Sequence, residues 1–118
     1  MHRPTVARAF MVFHLTLGTV VFVQSLRSAI VAAGIGSAAP PGWHVAGLAG
    51  VEALAALLFL WPATLRLGGA VLILTFAVAV AAHAFRGELP GALLVYAAGT
   101  AFVMAHGRVA APASARPA

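Results

Sequence analysis

Four long apolar runs constrain the fold of this chain more than any other feature of its sequence. They cover about residues 7–33, 43–62, 64–85 and 90–106, and segments containing Gly and Pro separate them. About 20 apolar residues are enough for a helix to cross the ~30 Å hydrocarbon core of a bilayer. In lipid every backbone group must be paired, and the runs do not alternate with period two as barrel strands do. We therefore predict four membrane-spanning helices.

The composition agrees with this prediction. Only 8% of the 118 residues are charged, whereas soluble domains carry about 25%. The short connections should make successive helices antiparallel neighbours. The fold class predicted is all-α, an integral membrane four-helix antiparallel bundle over residues 1–107. The Pro- and Ala-rich tail 108–118 is predicted to be disordered. The first run is expected to be retained rather than cleaved as a signal peptide, because His14, Gln24 and Arg27 interrupt its apolar character.

Arginine supplies all of the positive charge at pH 7, since the chain has no lysine, and its distribution predicts a topology. Four spans put both termini on one side, and five arginines share that side: Arg3, Arg8, Arg66, Arg108 and Arg116. Arg27 and Arg86 fall on the other side. The positive-inside rule then places both termini in the cytoplasm of a bacterial inner (plasma) membrane protein. Trp43 and Trp61 flank the second run, as residues of an aromatic belt do. The arginines are scattered and form no contiguous patch, so we expect no nucleic-acid partner.

Small and polar residues recur at helical spacing along one stripe of each run, which predicts the faces that pack together. The stripes are His14, Gly18, Val21, Ser25 and Ser28; Ala46, Ala49, Gly50 and Ala53; Gly68, Thr75, Ala79, His83 and Arg86; and Gly99, Val103 and His106.

Glu52 is the one carboxylate inside an apolar run, and it lies near the middle of the second span. An acidic side chain at that depth costs at least ~2.5 kcal/mol, so it should be neutral, paired or in contact with water. The candidates for a polar cluster at the same depth are Gln24, Thr75, Tyr96 and Thr100. Arg27 lies somewhat nearer the outer surface and could reach Glu52. Two hypotheses stay open: a protonated carboxyl that joins helices, or a site that handles protons or a ligand.

The histidines form a second group of candidates. His14 and His106 lie toward the cytoplasmic side, and His44 and His83 lie toward the outer side. Two layers of paired histidines in a four-helix bundle could ligate two haems, whereas the alternative is that they are interfacial or hydrogen-bonded histidines. His83 and Arg86, one turn apart, could instead form a small site for an anion or a quinone headgroup. With no cysteine and few acidic residues, we predict no metal site.

The sequence contains none of the common catalytic motifs: no HExxH, phosphate loop, dinucleotide fingerprint or nucleophile elbow. Glu52 and Glu88 are the two acidic residues, and Glu88 falls in the turn before the fourth run. A paired-carboxylate mechanism therefore lacks its parts inside the membrane. We do not expect the chain to be an enzyme on its own.

Several stretches resemble the DoxX-like family of small bacterial membrane proteins. RAFMVFHLTLGTVVFVQSLRS resembles that family's Arg-led first helix with a central Gly. GLAGVEALAALLFLWPATLRLGGAVLILT resembles its second helix with an internal Glu, followed by a turn and a third helix that begins with Arg and is rich in Gly and Ala. AAHAFRG resembles the His-containing end of that third helix. Family members often carry Lys where this chain has Arg27, and Gly where it has Trp61 and Pro62. The resemblance covers about residues 8–106, and it implies a four-helix membrane protein attached to electron transfer.

Together these observations predict a small accessory or structural subunit of a membrane complex, one linked to quinone-dependent redox chemistry. The alternatives are an electron carrier that binds haem or quinone, and a small proton-coupled transporter centred on Glu52. The expected partners are membrane lipid and either other membrane subunits or further copies of the chain, because close packing of small-residue faces suits both.

Overall fold

The computed structural model describes residues 3–36, 38 and 40–106, and this part of the chain is helical. Helix α1 spans Arg3–Ala32, α2 Trp43–Leu60, α3 Leu65–Phe85 and α4 Gly91–His106, with a 3₁₀ turn at Pro62–Thr64. No strand occurs among these residues, so the all-helical prediction is confirmed. The tail predicted to be disordered, 108–118, lies outside the described residues.

Three of the helical segments are long and apolar enough to cross a membrane. They are Thr5–Ala32, Trp43–Leu60 and Pro62–Phe85. Helix α4 is apolar too, but its 16 residues make it shorter than the other three.

Glycines in the left-handed conformation end α1 and α3. At the end of α3, Gly87 has φ +75°, its N–H donates to the carbonyl of Ala84, and the N–H of Glu88 donates to the carbonyl of His83, both at 2.9 Å. This pair of bonds satisfies carbonyls that the helix itself leaves free, and a residue with a Cβ adopts the required conformation only with strain. Helix α1 ends in the same way at Gly34, with φ +78°.

Helix α2 ends because Pro62 has no N–H with which to continue it. The carbonyl of Leu58, which would otherwise lack a partner, accepts hydrogen bonds from the N–H of Trp61 at 3.3 Å and from the hydroxyl of Thr64 at 2.7 Å. The chain therefore turns within the 3₁₀ segment and enters α3 directly.

Helices α1 and α2 share the most extensive contact in the bundle. His14 lies against Phe59, and Ser25 lies against Glu52. Between these two contacts, residue numbers rise along α1 and fall along α2. The last turns of α1 and the first turns of α2, which the 33–42 connection joins, therefore lie on the far side of the Ser25–Glu52 contact from the His14–Phe59 contact.

Helix α4 also packs against α1, although less extensively than α2 does. Here too residue numbers rise along α1 while they fall along α4. Gly99 lies beside Leu17, and Tyr96 reaches Gln24. Phe76 of α3 in turn packs near Tyr96, with ring centroids 6.3 Å apart. All four helices thus meet at the level of Gln24 and Ser25.

The predicted packing stripes are confirmed in their central parts and fail at several ends. The buried members are His14, Gly18, Val21, Ser25, Ala49, Ala53, Gly68, Thr75 and Val103. The exposed members are Ser28, Arg86 and His106, and each of them lies near a helix end. The stripes are correct where the helices face one another and incorrect where they extend past their neighbours.

Burial is unevenly distributed along the bundle. The last buried residues before the 33–42 connection and the 86–90 turn are Ser25, Ala49, Phe76 and Thr100. We call the described residues beyond them the loop half (26–36, 38, 40–48, 77–99), and none of these residues is buried. The rest of the bundle, which we call the terminal half, contains the fully enclosed side chains Phe59, Leu72, Phe76 and Val103.

The outer surface of the bundle is strongly apolar. Large hydrophobic side chains are more than half exposed on every helix, for example Val12 at 64%, Leu54 at 60%, Leu74 at 65% and Val95 at 68%. Trp43 and Trp61, at the two ends of α2, are each 68% exposed.

Candidate functional site

Glu52 lies in the tenth position of the 18-residue helix α2, on the face that meets α1. The hydroxyl of Ser25 donates a hydrogen bond to its Oε1 at 2.6 Å. Ser25 is buried, with 3% exposure, whereas Glu52 is partly exposed. Among the described residues no side chain donates to the second carboxyl oxygen, Oε2. One oxygen of the carboxyl therefore accepts a hydrogen bond from α1, and the other accepts none from a described side chain.

A second polar pair lies beside the first. The hydroxyl of Tyr96 on α4 donates to the side-chain oxygen of Gln24 at 3.0 Å. Gln24 precedes Ser25 on α1, so two consecutive residues connect α1 to two different helices. We call Gln24, Ser25, Glu52 and Tyr96 the polar layer.

Not every residue predicted for the polar cluster joins the layer. Thr75 and Thr100 are buried, but each hydroxyl donates to a backbone carbonyl of its own helix, that of Leu72 at 2.9 Å and that of Tyr96 at 2.7 Å. Side chains of this type bond back to the preceding turn when no better acceptor faces them. They fill space near the layer without donating to the carboxyl.

Arg27 is exposed on α1, and no ion pair joins it to Glu52 within the described part of the chain. Among the described side chains, Glu52 therefore has a hydroxyl partner and not a cationic one.

His14 has a specific structural partner. Its Nε2–H donates to the carbonyl of Phe59 at 2.8 Å, and its ring meets the Phe59 ring edge-on at a centroid distance of 4.8 Å. Because a carbonyl only accepts, this bond fixes a proton on Nε2. The Phe59 carbonyl is one of those that α2 leaves free where it ends before Pro62. His14 therefore caps the end of α2 from a neighbouring helix.

The other histidines considered as haem ligands are exposed or have other hydrogen-bond partners, which does not favour the haem hypothesis. His106 is exposed, and its Nδ1 bonds to the carbonyl of Phe102 on its own helix at 3.0 Å. His44 is exposed at the start of α2. No group of three or more His, Asp or Glu side chains arranged to hold a metal ion occurs among the described residues. The Nε2 of His14, the nitrogen considered for haem ligation, already donates a hydrogen bond to the carbonyl of Phe59.

His83 pairs with Glu88 across the turn between α3 and α4. Its Nδ1 lies 2.9 Å from Oε2 of Glu88, and Nε of Arg86 lies 3.9 Å from Oε1. The hydrogen bond from His83, helped by the positive charge of Arg86, lowers the pKa of Glu88 below its ordinary value. An external anion or quinone headgroup at His83 and Arg86 would have to compete with this carboxylate.

The chemistry available in the polar layer is proton and hydrogen-bond exchange. A carboxyl can gain or lose a proton at Oε2 while Ser25 continues to donate to Oε1. An open groove on the opposite face of α1, lined by Leu15, Thr16, Thr19 and Val20, offers no titratable group.

The roles of Ser25 and His14 were not predicted from the sequence. The sequence pattern places Ser25 on the packing stripe and favours Gln24, one residue earlier, for the cluster with Glu52. The choice between neighbouring positions depends on a rotation of about 100° around the helix axis. For His14, the signal was Pro62, which implies a carbonyl without a partner at the end of α2.

Comparisons with models of protein families, with curated proteins and with solved structures found no match for this chain.

Proposed function

We propose that the chain is a small integral membrane protein whose four helices form an antiparallel bundle, and that it is an accessory or structural subunit of a membrane complex. The observation that carries this proposal is the apolar outer surface on all four helices. A soluble monomer rarely exposes an apolar patch larger than a few hundred Å². Lipid and neighbouring membrane helices would cover this one.

The ends of the helices support the same proposal. Trp43 and Trp61 are exposed at opposite ends of α2, as expected for side chains at the two interfaces of a bilayer. Arg66 is exposed at the start of α3, whereas Arg86 is exposed beyond the other end of α3.

The proposed location is a bacterial inner membrane with both termini in the cytoplasm, which requires α4 to cross as well. Its 16 residues extend about 24 Å at 1.5 Å per residue. That is shorter than a typical hydrocarbon core of about 30 Å, and local thinning or flanking side chains accommodate such a mismatch at modest cost.

An accessory role agrees better with the polar layer than an independent activity does. The layer consists of neutral hydrogen bonds and one carboxyl, and its members link α1 to α2 and α4. The resemblance to the DoxX-like family points to a complex that carries out quinone-linked electron transfer, and this assignment is part of the proposal.

Gentle purification tests the proposal. Membranes would be solubilised in a mild detergent, and the tagged chain would be isolated, analysed by mass spectrometry and examined by visible absorption. The expected result is a set of membrane proteins in constant ratio to the chain and no haem absorption from the chain itself. A chain that purifies alone and carries a Soret band would contradict the accessory role and favour the electron carrier.

A further inference from the structure

We propose that the outer face of α1 is the surface on which a membrane-spanning helix of another subunit docks, and that this partner helix carries a carboxylate opposite Arg27. The inference rests on the proposed function, since it names the chemistry of the partner that an accessory subunit would contact. It is carried by the position of Arg27, a charged side chain that lies within a span and faces away from the chain's own acidic residues.

Arg27 lies on the side of α1 opposite to the bundle. It follows Ser25 by two residues, which is a rotation of about 200° around the helix axis. Ser25 is buried where it bonds to α2, whereas Arg27 is exposed. Thr16, Val20 and Val23 precede Arg27 on the same stripe at helical spacing, and all three are exposed as well. We call these four residues the outer stripe.

Arg27 also lies inside the apolar part of the bundle. The N–H of Gly42 donates to the carbonyl of Ala32 at 2.7 Å, so these two residues lie at the same level, beside Trp43. Arg27 precedes Ala32 by five residues, which places it about 7.5 Å deeper. Side chains of a helix lean toward its N-terminus, and in α1 this direction leads further into the bilayer. The guanidinium therefore points away from the nearer membrane surface.

The chain itself supplies no carboxylate for Arg27. Its two acidic side chains are Glu52 and Glu88. Glu52 accepts from Ser25 on the opposite side of α1, and Glu88 bonds to His83 in the turn after α3. Arginine cannot lose its charge, and within a span it is costly unless it is paired or meets water. A carboxylate of another protein offers the two acceptors that a guanidinium binds best.

The rest of this face suits a helix as the occupant. Thr16 and Val20 line an open groove together with Leu15 and Thr19. Threonine is one of the small residues that membrane helices favour at their contacts, and its hydroxyl can bond across to a neighbour. Ridges of side chains on one helix pack into grooves of this kind on another. The surface therefore combines a packing groove with one charge, which fits an apolar helix that carries one acidic residue.

Site-specific photocrosslinking in native membranes tests the surface. A photoreactive phenylalanine analogue would replace Val20 or Val23 on the outer stripe. As matched controls it would replace Leu54 or Leu74, which are exposed on α2 and α3. After illumination, the tagged chain would be isolated under denaturing conditions and its crosslinked peptides identified by mass spectrometry. We expect one product from both α1 positions and from neither control, joined to a membrane-spanning segment of another protein that contains Asp or Glu.

Three results would overturn the inference. Lipid adducts alone at Val20 and Val23 would show that Arg27 reaches lipid headgroups instead. A product joined to a second copy of this chain, or to a segment without an acidic residue, would exclude the proposed partner. In each case the proposed function stands if other subunits still purify with the native chain in constant ratio. If no subunit does so, the proposed function fails and the inference fails with it.

Substitutions at Arg27 test the charge pair. In Arg27→Leu, the yield of the product at Val23 should fall at least about tenfold, because a buried charge loses its partner. Arg27→Lys should retain part of the yield. Arg86→Leu is the matched control, since Arg86 lies 3.9 Å from Glu88 and beyond the end of α3. Equal yields in Arg27→Leu and Arg86→Leu would contradict the pair. Removing a charge from a lipid-facing position does not oppose insertion, so Arg27→Leu should still enter the membrane.

A charge exchange identifies the partner residue. Arg27→Glu should abolish the product, because two carboxylates would then face each other. Replacing the acidic residue of the crosslinked segment by Arg should restore the product in the Arg27→Glu chain. If this exchange restores nothing, the acidic residue does not pair with Arg27 and the inference is wrong.

Discussion

Gly68 lies where the backbones of α2 and α3 approach too closely for a side chain. A Cβ at this position would lie 2.6 Å from the carbonyl oxygen of Ala55 and closer still to the backbone nitrogen of Phe59. Neither backbone atom can move away as a flexible side chain would. The contact is of the kind that small residues permit between membrane helices.

Replacing Gly68 by Ala should therefore separate α2 from α3 and destabilise the bundle. We expect a loss of about 1–3 kcal/mol, the range for overpacking. Gly47→Ala is the matched control, because nothing lies within 4 Å of its added Cβ. In the control, better helix propensity should leave stability unchanged or raise it by up to about 1 kcal/mol. Unfolding in detergent micelles measures both, and equal stabilities for the two variants would contradict the close approach.

His14→Ala should also destabilise the bundle, because it leaves the Phe59 carbonyl without its partner. A buried polar group that loses its hydrogen bond costs about 1–3 kcal/mol. His106→Ala is the control, since His106 is exposed and bonds only to its own helix. The same unfolding assay applies. A His14→Ala variant as stable as His106→Ala would show that the capping bond contributes nothing.

Ser25→Ala tests the hydrogen bond within the polar layer. Interhelical hydrogen bonds in membranes contribute about 0.6 kcal/mol on average and up to ~1.7 kcal/mol. We expect a loss of stability in this range, and a smaller one in Ser28→Ala, because Ser28 is exposed.

Glu52→Gln should fold normally, since the amide oxygen can still accept from Ser25. Unfolding of Glu52→Gln at much lower denaturant would show that the carboxyl itself is structurally required.

At the scale of elements, the turn between α3 and α4 is held by a side-chain bond as well as by Gly87. His83 donates to Glu88, so the pKa of Glu88 is lowered. A lowered carboxyl pKa contributes stability above the ordinary pKa of the group, and this contribution is lost as pH falls through the lowered value. The turn should therefore be best ordered at neutral pH and loosen in acid.

Removing the histidine tests this coupling. In His83→Ala, the pKa of Glu88 should rise toward its ordinary value, and NMR titration of the carboxyl carbon measures it directly. Arg86→Ala should raise the pKa less, since the hydrogen bond outweighs the more distant charge. If Glu88 titrates identically in His83→Ala and the native chain, the bond does not form in solution.

The elements could be predicted from the sequence because their signals are local. Runs of apolar residues interrupted by Pro62 or by the glycines at 34 and 87 mark where helices begin and end, with little dependence on tertiary contacts. The first helix begins at Arg3, before the apolar run does, because polar residues can extend a helix beyond the hydrophobic stretch. The rotation of each helix about its axis was harder to predict. Whether Ser25 or Gln24 is the partner of Glu52 depends on how α1 and α2 pack.

At the scale of the whole molecule, the apolar exterior could be predicted from the sequence. The positions along the helices at which burial stops could not. The apolar runs imply an apolar exterior, and the structure has one on every helix. The stripes of small residues, however, suggested close packing along the full length of the bundle. Burial instead stops at Ser25, Ala49, Phe76 and Thr100, and the loop half has no buried residue. Periodicity reports which face of a helix packs, but not how far along its axis a neighbour extends.

The short helix α4 leads to a prediction about topology. If α4 crosses the bilayer, reporters fused at the C-terminus and at the N-terminus should both be cytoplasmic, and a reporter in the 86–90 turn should lie outside. A C-terminal reporter outside the cytoplasm would mean three crossings, which is the number of helices within the described residues that are long and apolar enough to span a membrane.

Extraction from membranes tests the central claim most directly. Membranes containing the chain would be washed with alkaline carbonate, which removes peripheral proteins, and then treated with detergent. If the bundle is embedded in lipid, the chain should stay in the carbonate pellet and become monodisperse only in detergent. Release by carbonate, or a monodisperse preparation in detergent-free buffer, would show that the apolar exterior is covered in some other way.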